Sequence, residues 1–466
     1  MTDKKIYFLD TTFRDGVQSL WAMYVNYGMW EAIGPLLEQA GFDTVELYGV
    51  YPKLVLDSYK EAPLKREELI EQTFQKTPLQ IPTLGMMGSL TDYWSSAKLK
   101  FFYQFMHNVY KGKLKKALVI CCTRDEIERE LPILFPLYRS IGMEAIPYIT
   151  YGIREWLTDE YYGSVTKKIA DKHKPVLFVL KDVDGLLTPE RARTLIPAMI
   201  KNANGIPIEL HTHGMSGFNE AVAVEAMKQG IRRFHTCIPP LASGSSHLNI
   251  FNLCHNARVL GLEPCINEEP LREASERLFK IAKEENLPIG APTLYDERVY
   301  KHEVPGGVIT TLESQLNVIG MVDQMDEVLE EIPIIVKELG SPLMITPHSQ
   351  FIVTQATMNV AMGRWEQFID GMIGYAMGIY GVEDTGLANM DQNLKDKLLS
   401  DPRSKAIDEK WTNYLERRET ETIEEIKVQY GMENASDEDL YMKLQGITEA
   451  DLKLASTLPP PKTYSF

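Results

Sequence analysis

Eight short apolar runs, separated by longer amphipathic stretches, constrain the fold of this chain more than any other feature of its sequence. The runs are apolar almost throughout, as strands of a parallel sheet are when helices cover both faces. They occupy residues 5–10, 43–49, 80–86, 116–122, 144–150, 176–182, 206–213 and 232–238. Eight strand–helix units within about 250 residues predict an α/β fold of the (β/α)8, or TIM barrel, type.

The strand rhythm stops near residue 295, and helical patterns take its place. We therefore predict a TIM-barrel domain over residues 1–294 and a mostly helical C-terminal domain over residues 295–466. From about residue 385 onward we expect a variable tail. This tail ends in STLPPPKTYSF, a Pro-rich stretch that is typical of an arm or a loose end.

Charge and composition restrict the classes of function. The chain has 65 acidic and 49 basic residues and lacks the basic stripe with interleaved aromatic residues that predicts nucleic-acid binding. Its apolar runs fall short of the roughly 18 residues of a membrane helix. The five cysteines form no CxxC pair, which is typical of reduced thiols. We therefore expect a cytoplasmic protein without nucleic-acid binding or membrane insertion.

Candidate metal ligands stand at the predicted C-terminal ends of three strands. Asp15 follows the first strand, Lys181 ends the sixth, and His211 and His213 end the seventh. These ends meet at one mouth of a barrel, and residues i and i+2 of a strand point to the same face. Two imidazoles and a carboxylate suit zinc, with manganese or cobalt as alternatives. Taken singly, the histidines could be a hydrogen-bonded pair and Asp15 a helix cap.

Six ordered motifs resemble the carboxyltransferase component of biotin-dependent carboxylases of the pyruvate carboxylase type, whose relatives include the oxaloacetate decarboxylase alpha subunit and the transcarboxylase core subunit. The resemblance spans residues 5 to about 385. The motifs are LDTTFRDGVQS, LKDVDGLLTP, IELHTHGMSG, EVPGGVITTLESQL, ITPHSQFIVTQATMNV and GYAMGIYG. The resemblance implies an enzyme that moves CO2 from carboxybiotin to an enolisable ketone or 2-oxo acid.

The resemblance also implies the metal ligands. Asp15, His211 and His213 would bind the divalent ion, and Lys181 would be the fourth ligand and a catalytic residue as N6-carboxylysine. A neutral buried amine can react with CO2 to become an anionic oxygen donor, whereas an ammonium cannot bind a cation. From the residues alone, an ion pair between Lys181 and a neighbouring aspartate stays open.

Further roles come from the same resemblance. Arg14 and Gln18 would face the substrate, with Arg14 stabilising the developing enolate oxygen. Thr346 would relay a proton between the acceptor carbon and the biotin ring. Ser349 and Gln350 would lie near the ureido group of biotin.

The chain departs from the family where the family binds the carboxylate of pyruvate. Met87 stands in place of an arginine, and we predict that Arg124 takes over as the anchor. The alternative for Arg124 is a pair with Asp125 or Glu126 on a solvated rim. Three more family residues with polar side chains are replaced, by Val17, Cys121 and Gly214. This less polar pocket predicts an acceptor other than plain pyruvate.

The sequence shows no P-loop or other Gly-rich nucleotide motif for activating bicarbonate. Its EAMK stretch at 225–228 resembles the biotin-attachment sequence of carrier domains, but it lies in a helical run instead of a hairpin. We therefore expect biotin on a separate subunit, with the biotin carboxyl carrier protein and biotin carboxylase on other chains, and a homodimer of this chain. The alternative function is a metal-dependent aldol or Claisen lyase or synthase of the related barrel group. Lys181 and the region 304–385 favour the carboxyltransferase. The presence of Thr346 together with the four predicted metal ligands argues against a third alternative, a non-enzymatic protein that keeps only the barrel fold.

Overall fold

Eight parallel strands form a closed barrel in the computed structural model, which describes residues 4–47, 64–83, 86–89, 92–121, 123–457 and 460–466. In chain order the strands are β1 (Lys5–Asp10), β2 (Thr44–Glu46), β3 (Leu79–Thr83), β4 (Leu114–Cys121), β5 (Glu144–Thr150), β6 (Phe178–Asp182), β7 (Ile208–Thr212) and β8 (Arg233–Cys237). Each pairs with the next, and β1 closes the barrel on β8 in the register Tyr7 to Arg233. The eight predicted strands are confirmed. Residues 48–49, 84–85 and 122, predicted to extend three of them, lie outside the described residues.

Helices follow the strands and cover the barrel, so β6 and β7 are buried along their whole length. Those before residue 295 are α1 (Val17–Leu20), α2 (Tyr27–Ala40), α3 (Lys65–Thr73), α4 (Ser96–Val109), α5 (Arg124–Arg129), α6 (Leu131–Ser140), α7 (Asp159–His173), α8 (Pro189–Asn202), α9 (Asn219–Lys228), α10 (Ile250–Val259) and α11 (Glu268–Glu284). Short strands add an antiparallel pair at Met87–Ser89 and Asp92–Tyr93, and two edge pieces at Leu248–Asn249 and Glu263–Pro264. This burial on both faces explains the apolar runs of the sequence.

After residue 295, the regular secondary structure in the part of the chain that the structure describes is all helical. Its α-helices are α12 (Val299–His302), α13 (Gly306–Val318), α14 (Met325–Glu338), α15 (His348–Met362), α16 (Asp370–Ala376), α17 (Gln392–Leu399), α18 (Arg403–Arg417), α19 (Ile423–Gln429), α20 (Asp437–Leu444) and α21 (Glu449–Ala455). Residues between Val304 and Leu398 form an apolar core of their own, beside the larger core of the barrel. The predicted TIM barrel with a helical C-terminal part is confirmed, while the boundary at residues 294 and 295 stays a prediction.

The last helices return to the barrel. Tyr441 of α20 is buried and stacks on Phe102 and Phe105 of α4, with ring centroids 5.0 and 4.4 Å apart. At the chain end, the Tyr464 hydroxyl accepts a hydrogen bond from Asn26 Nδ2 at 2.8 Å. The Pro-rich end therefore lies against α2 of the barrel. Among the described residues, no helix combines the length and the apolarity that crossing a bilayer requires.

Candidate functional site

Four potential metal ligands cluster at the C-terminal mouth of the barrel. Donor atoms of Asp15, His211, His213 and His247 all lie within 4.8 Å of one another, and all four side chains are buried. Three of the four were predicted from the sequence. His247 was missed because a single histidine in a loop of small polar residues carries no periodicity or spacing signal.

Asp15 lies in a π-helical turn, Thr12–Gly16, that follows β1 directly. The Thr11 hydroxyl accepts a hydrogen bond from the Asp15 backbone N–H at 3.2 Å, which fixes this turn to the end of the strand. Arg14 forms an ion pair with Asp15, and its Nε lies 3.8 Å from Glu46 Oε1. Burial disfavours the charged carboxylate, but Arg14 and His247 outweigh it and hold the pKa of Asp15 well below its usual range. Asp15 is therefore an anion at neutral pH.

His211 of β7 and His213, which directly follows the strand, project toward the same cluster, as the i, i+2 spacing predicts. His213 Nδ1 lies 2.7 Å from the backbone carbonyl of Ser245, which can only accept a hydrogen bond. His213 therefore carries its proton on Nδ1, and its Nε2 lone pair is left for a metal. Burial lowers the pKa of His213 to about 3 and that of His211 well below its usual range, so both rings are neutral at pH 7.

A second pair of buried residues orients His211. Its Nδ1 lies 3.1 Å from Nδ1 of His235, and Nε2 of His235 lies 3.2 Å from Glu209 Oε2. Glu209 accepts from His235, because His235 and Arg233 outweigh its burial and lower its pKa to about 2. In the tautomer in which His235 Nε2 donates to Glu209 and carries the only ring proton, His235 Nδ1 accepts from His211, and His211 Nε2 faces the cluster as a lone pair. Such outer-shell partners fix the orientation of metal-binding histidines.

Lys181 lies at the end of β6, in register with His211 on the neighbouring strand. Its side chain is buried, and its Nζ lies 4.9 Å from the centroid of the Tyr148 ring. The adjacent Asp182 accepts hydrogen bonds from the Thr212 hydroxyl and from backbone N–H groups of the following loop, at 2.7 to 3.3 Å. Asp182 is therefore committed to holding that loop.

A cavity of about 60 Å³ joins these residues to the C-terminal helices. The barrel side contributes Arg14, Asp15, Gln18, Lys181, Val183, His211 and His213. The C-terminal side contributes Pro305, Gly307, Val308, Ile345, Thr346 and Gln350. The structure thus brings eight of the eleven predicted site residues into one cleft between the two parts of the chain.

Glycine at the start of α13 allows this close approach. A Cβ on Gly306 would lie 2.2 Å from the Ser245 carbonyl oxygen and 2.8 Å from His213 Nδ1. A Cβ on Gly307 would lie 3.0 Å from the side chain of Gln18. The PGG stretch of the fourth motif therefore allows α13 to lie directly against the four potential metal ligands.

The predicted biotin-side residues are linked by hydrogen bonds. Gln350 Nε2 donates to the Thr346 hydroxyl at 2.7 Å, and the Ser349 hydroxyl donates to Gln350 Oε1 at 3.1 Å. Because Thr346 accepts from Gln350, its own proton is free to be donated elsewhere. Ser349 is fully buried behind Gln350, so it supports the lining of the cleft without being part of it.

Arg124, the predicted anchor of the acceptor carboxylate, is not part of this arrangement. Arg124 lines a separate groove, with its side chain 48% exposed and its Nε 3.4 Å from Asp384 Oδ2. Its ion-pair partner is thus Asp384, whereas Asp125 accepts backbone N–H groups of the loop at 382–383. The side chains of Met87 and Cys121 lie outside the described part of the structure.

Comparison with known proteins finds similar chains among the carboxylases. A conserved carboxylase domain matches residues 299–445. The chain is 27% identical to a pyruvate carboxylase subunit of Methanocaldococcus jannaschii over 80% of its own length and 65% of that protein. It is 28% identical to the 2-oxoglutarate carboxylase large subunit of Hydrogenobacter thermophilus, covering 81% of this chain and 58% of that one. This chain is therefore similar to carboxylase and carboxyltransferase subunits. The resemblance predicted from the six motifs is confirmed.

Other matches agree with this family. Identity to the methylmalonyl-CoA carboxyltransferase 5S subunit of Propionibacterium freudenreichii is 31%, over 51% of this chain and 48% of that subunit. The carboxyl transferase domain of Rhizobium etli pyruvate carboxylase superposes with a TM-score of 0.78 at 21% identity, covering 98% of this chain and 80% of that one. That likeness establishes the fold. The match to this chain covers between 48% and 65% of the length of these three relatives.

Proposed function

We propose that this chain is the carboxyltransferase component of a biotin-dependent carboxylase, moving CO2 from carboxybiotin to an enolisable ketone or 2-oxo acid. One observation carries the proposal: a single cleft joins the metal-ligand cluster of the barrel to Thr346 and Gln350 of the C-terminal part. A lyase needs the first half of that cleft, whereas transfer between a carrier and an acceptor needs both.

A divalent cation fits the cluster. Asp15 Oδ2 and His211 Nε2 lie 3.8 Å apart, too far for a hydrogen bond and suited to sharing one ion. Neutral imidazoles with one carboxylate favour zinc, with manganese or cobalt as alternatives. Such an ion supplies Lewis-acid stabilisation of negative charge on a bound oxygen. Asp15, His211 and His213 would hold it.

Lys181 is proposed to act as N6-carboxylysine. In this reaction the neutral Nζ forms a bond to the carbon of CO2 and releases one proton, which leaves an anionic carbamate. Its place at the end of β6, in register with His211, puts the modified side chain in the same cleft. Carbon-13 NMR of protein equilibrated with labelled CO2 tests this proposal, because a carbamate signal that Lys181→Met lacks is expected.

Arg14 and Thr346 divide the chemistry on the acceptor. The Arg14 guanidinium lines the cleft beside Asp15, where it stabilises the oxygen of the developing enolate. The Thr346 hydroxyl, held by Gln350, delivers and accepts the proton that moves between the acceptor carbon and the biotin ring. Gln18 faces the acceptor, while Gln350, supported from behind by Ser349, lies on the side of the biotin ureido group.

The acceptor is proposed to be less polar than pyruvate. Val183, Pro305, Val308 and Ile345 contribute apolar surface to the cleft. Arg124 stays a predicted anchor for an acceptor carboxylate, and Arg124→Ala tests it together with Asp384→Ala, which breaks the same ion pair but keeps the cation. If neither variant changes the KM for the acceptor, Arg124 has no such role.

The deciding experiment supplies the purified chain with free N-carboxybiotin and a panel of ketones and 2-oxo acids. Transfer that needs carboxybiotin, and that Thr346→Ala reduces, supports the proposal. Activity without biotin that depends on an acyl thioester would support the lyase or synthase alternative. Co-purification from native extract, with the associated chains probed for biotin, tests for a separate biotin carrier and biotin carboxylase. Light scattering tests the proposed homodimer.

A further inference from the structure

His247 stands within the metal cluster although the six motifs give it no role. It ends a tight loop after β8, and its backbone forms an antiparallel bridge with His213. The Ser243 backbone N–H donates to the His247 carbonyl at 2.8 Å, and the Gly214 N–H donates to the Ser246 carbonyl at 2.9 Å. These bonds tie the loop to the end of β7, so the position of the His247 ring is set by the barrel itself.

The ring of His247 is fully buried and faces the other ligands. Its Nε2 lies 3.2 Å from Asp15 Oδ2, and its centroid lies 4.2 Å from that of His211 and 4.1 Å from that of His213. Its Nδ1 has no hydrogen-bond partner among the residues that the structure describes, and its Nε2 has only this contact with Asp15. A buried ring nitrogen without a partner is costly, and a bound cation relieves the cost when the ring turns that nitrogen to it.

The neighbouring rings have one nitrogen each to offer in the same direction. His213 Nδ1 is committed to the Ser245 carbonyl, and His211 Nδ1 is committed to His235. Their Nε2 atoms, Asp15 Oδ2 and a His247 nitrogen therefore converge on one point. In the tautomers in which all three imidazoles present lone pairs to this point, the lone pairs repel one another unless a cation lies between them.

We infer that His247 is a direct ligand of the divalent cation, so that the centre is held by three imidazoles and the Asp15 carboxylate. This inference deepens the proposed function, on which it rests for the metal centre. Three nitrogen donors favour zinc or cobalt over manganese. With four protein ligands already in place, Lys181 is not required to retain the metal, whether or not it adds a carbamate.

The test counts imidazoles and needs no substrate. X-ray absorption of the cobalt-substituted full chain is expected to show three imidazoles per ion, and two in His247→Phe, which keeps a planar ring without a donor. Zinc affinity, measured by chelator competition, is expected to fall at least tenfold in His247→Phe. In Lys181→Met, the zinc content after dialysis is expected to stay near one per chain.

His107→Phe is the matched control, because His107 is partly buried and bonds only a backbone carbonyl, that of Leu114, among the described residues. Its zinc affinity is expected to equal that of the unmodified protein. Two imidazoles in the unmodified chain, or unchanged zinc affinity in His247→Phe, would overturn the inference. Because the count in the unmodified chain needs no variant, misfolding of His247→Phe leaves the test decisive. A count of three imidazoles without any carboxyl transfer would contradict the proposed function but support His247 as a ligand.

Discussion

Thr346 shows how one hydrogen bond gives a side chain a direction. Its hydroxyl accepts from Gln350 Nε2 at 2.7 Å, and Gln350 is in turn fixed by Ser349. The motif ITPHSQ predicted these three residues but not the order of donors among them. That order leaves the Thr346 proton for the cleft, which agrees with a proton relay.

Removing this hydroxyl is expected to cost most of the transfer rate. We predict that Thr346→Ala lowers kcat for carboxyl transfer about 100-fold or more, within the usual range for a positioned acid–base group. Thr346→Ser keeps the hydroxyl and is expected to stay within about tenfold of the unmodified protein. Steady-state kinetics with free carboxybiotin measure both variants. A Thr346→Ala enzyme as fast as Thr346→Ser would rule out the relay.

Among the elements, the contact between α13 and the barrel mouth depends on Gly306, which has no side chain. Gly306→Ala places a methyl group 2.2 Å from the Ser245 carbonyl, so α13 must move away from the metal cluster. We predict that this variant stays folded, retains less than about half of the divalent metal that the unmodified protein binds, and transfers carboxyl about tenfold more slowly. Metal analysis and the transfer assay check this. The matched variant Gly320→Ala, at a glycine with positive φ but open space, tests for general loss of stability.

Helix α15 contributes a pH dependence of stability. His348, at its first residue, is fully enclosed, and burial lowers its pKa from 6.5 to about 4. Between pH 6.5 and 4 the unfolded chain takes up a proton that the folded chain does not, so stability falls as the pH falls through this window. Between pH 7.5 and 5 the loss is about 2 kcal/mol for this one group.

Urea unfolding at the two pH values tests this dependence. His348→Phe removes the titrating ring. Between pH 7.5 and 5, we expect the free energy of unfolding of this variant to fall by about 2 kcal/mol less than that of the unmodified protein. The prediction concerns the difference between the two proteins, because other groups, including His302 with a pKa of about 4, titrate in both. Parallel pH profiles would contradict it.

Across the whole molecule, the tail after residue 385 is tied to the barrel. Tyr441 fills a buried site between Phe102 and Phe105 of α4, and the end of the chain contacts α2 through Tyr464. In addition, Trp411 and Tyr414 of α18 line a small cavity that Thr346 also borders. The part of the chain that matched no motif therefore contributes to the surroundings of the cleft.

Loss of the Tyr441 ring is expected to destabilise the barrel as well as the tail. We predict that Tyr441→Ala lowers the free energy of unfolding by about 3 kcal/mol, the usual cost of removing a buried aromatic ring. Leu454→Ala, at a half-exposed position of α21, is expected to have little effect. Equilibrium unfolding in urea compares the two variants. Equal stabilities would mean that the tail is not docked.

The sequence by itself determined the barrel and much of the site. Burial on both faces leaves parallel strands apolar, a local pattern that requires no knowledge of the fold, and the eight runs appear as β1 to β8. The i, i+2 spacing likewise put His211 and His213 on one face. The shared mouth of the barrel then placed Asp15 and Lys181 beside them.

Only the tertiary structure decided which loop residues join that site. His247 reaches Asp15 because β8 lies next to β1 when the barrel closes, and Arg124 is paired with Asp384 because the C-terminal part packs against the barrel rim. The contact between Gly306 and Ser245 arises from the same packing. Strand periodicity is written in neighbouring residues, whereas these contacts join residues far apart in the chain. Their partners are therefore fixed by packing, which no local pattern records.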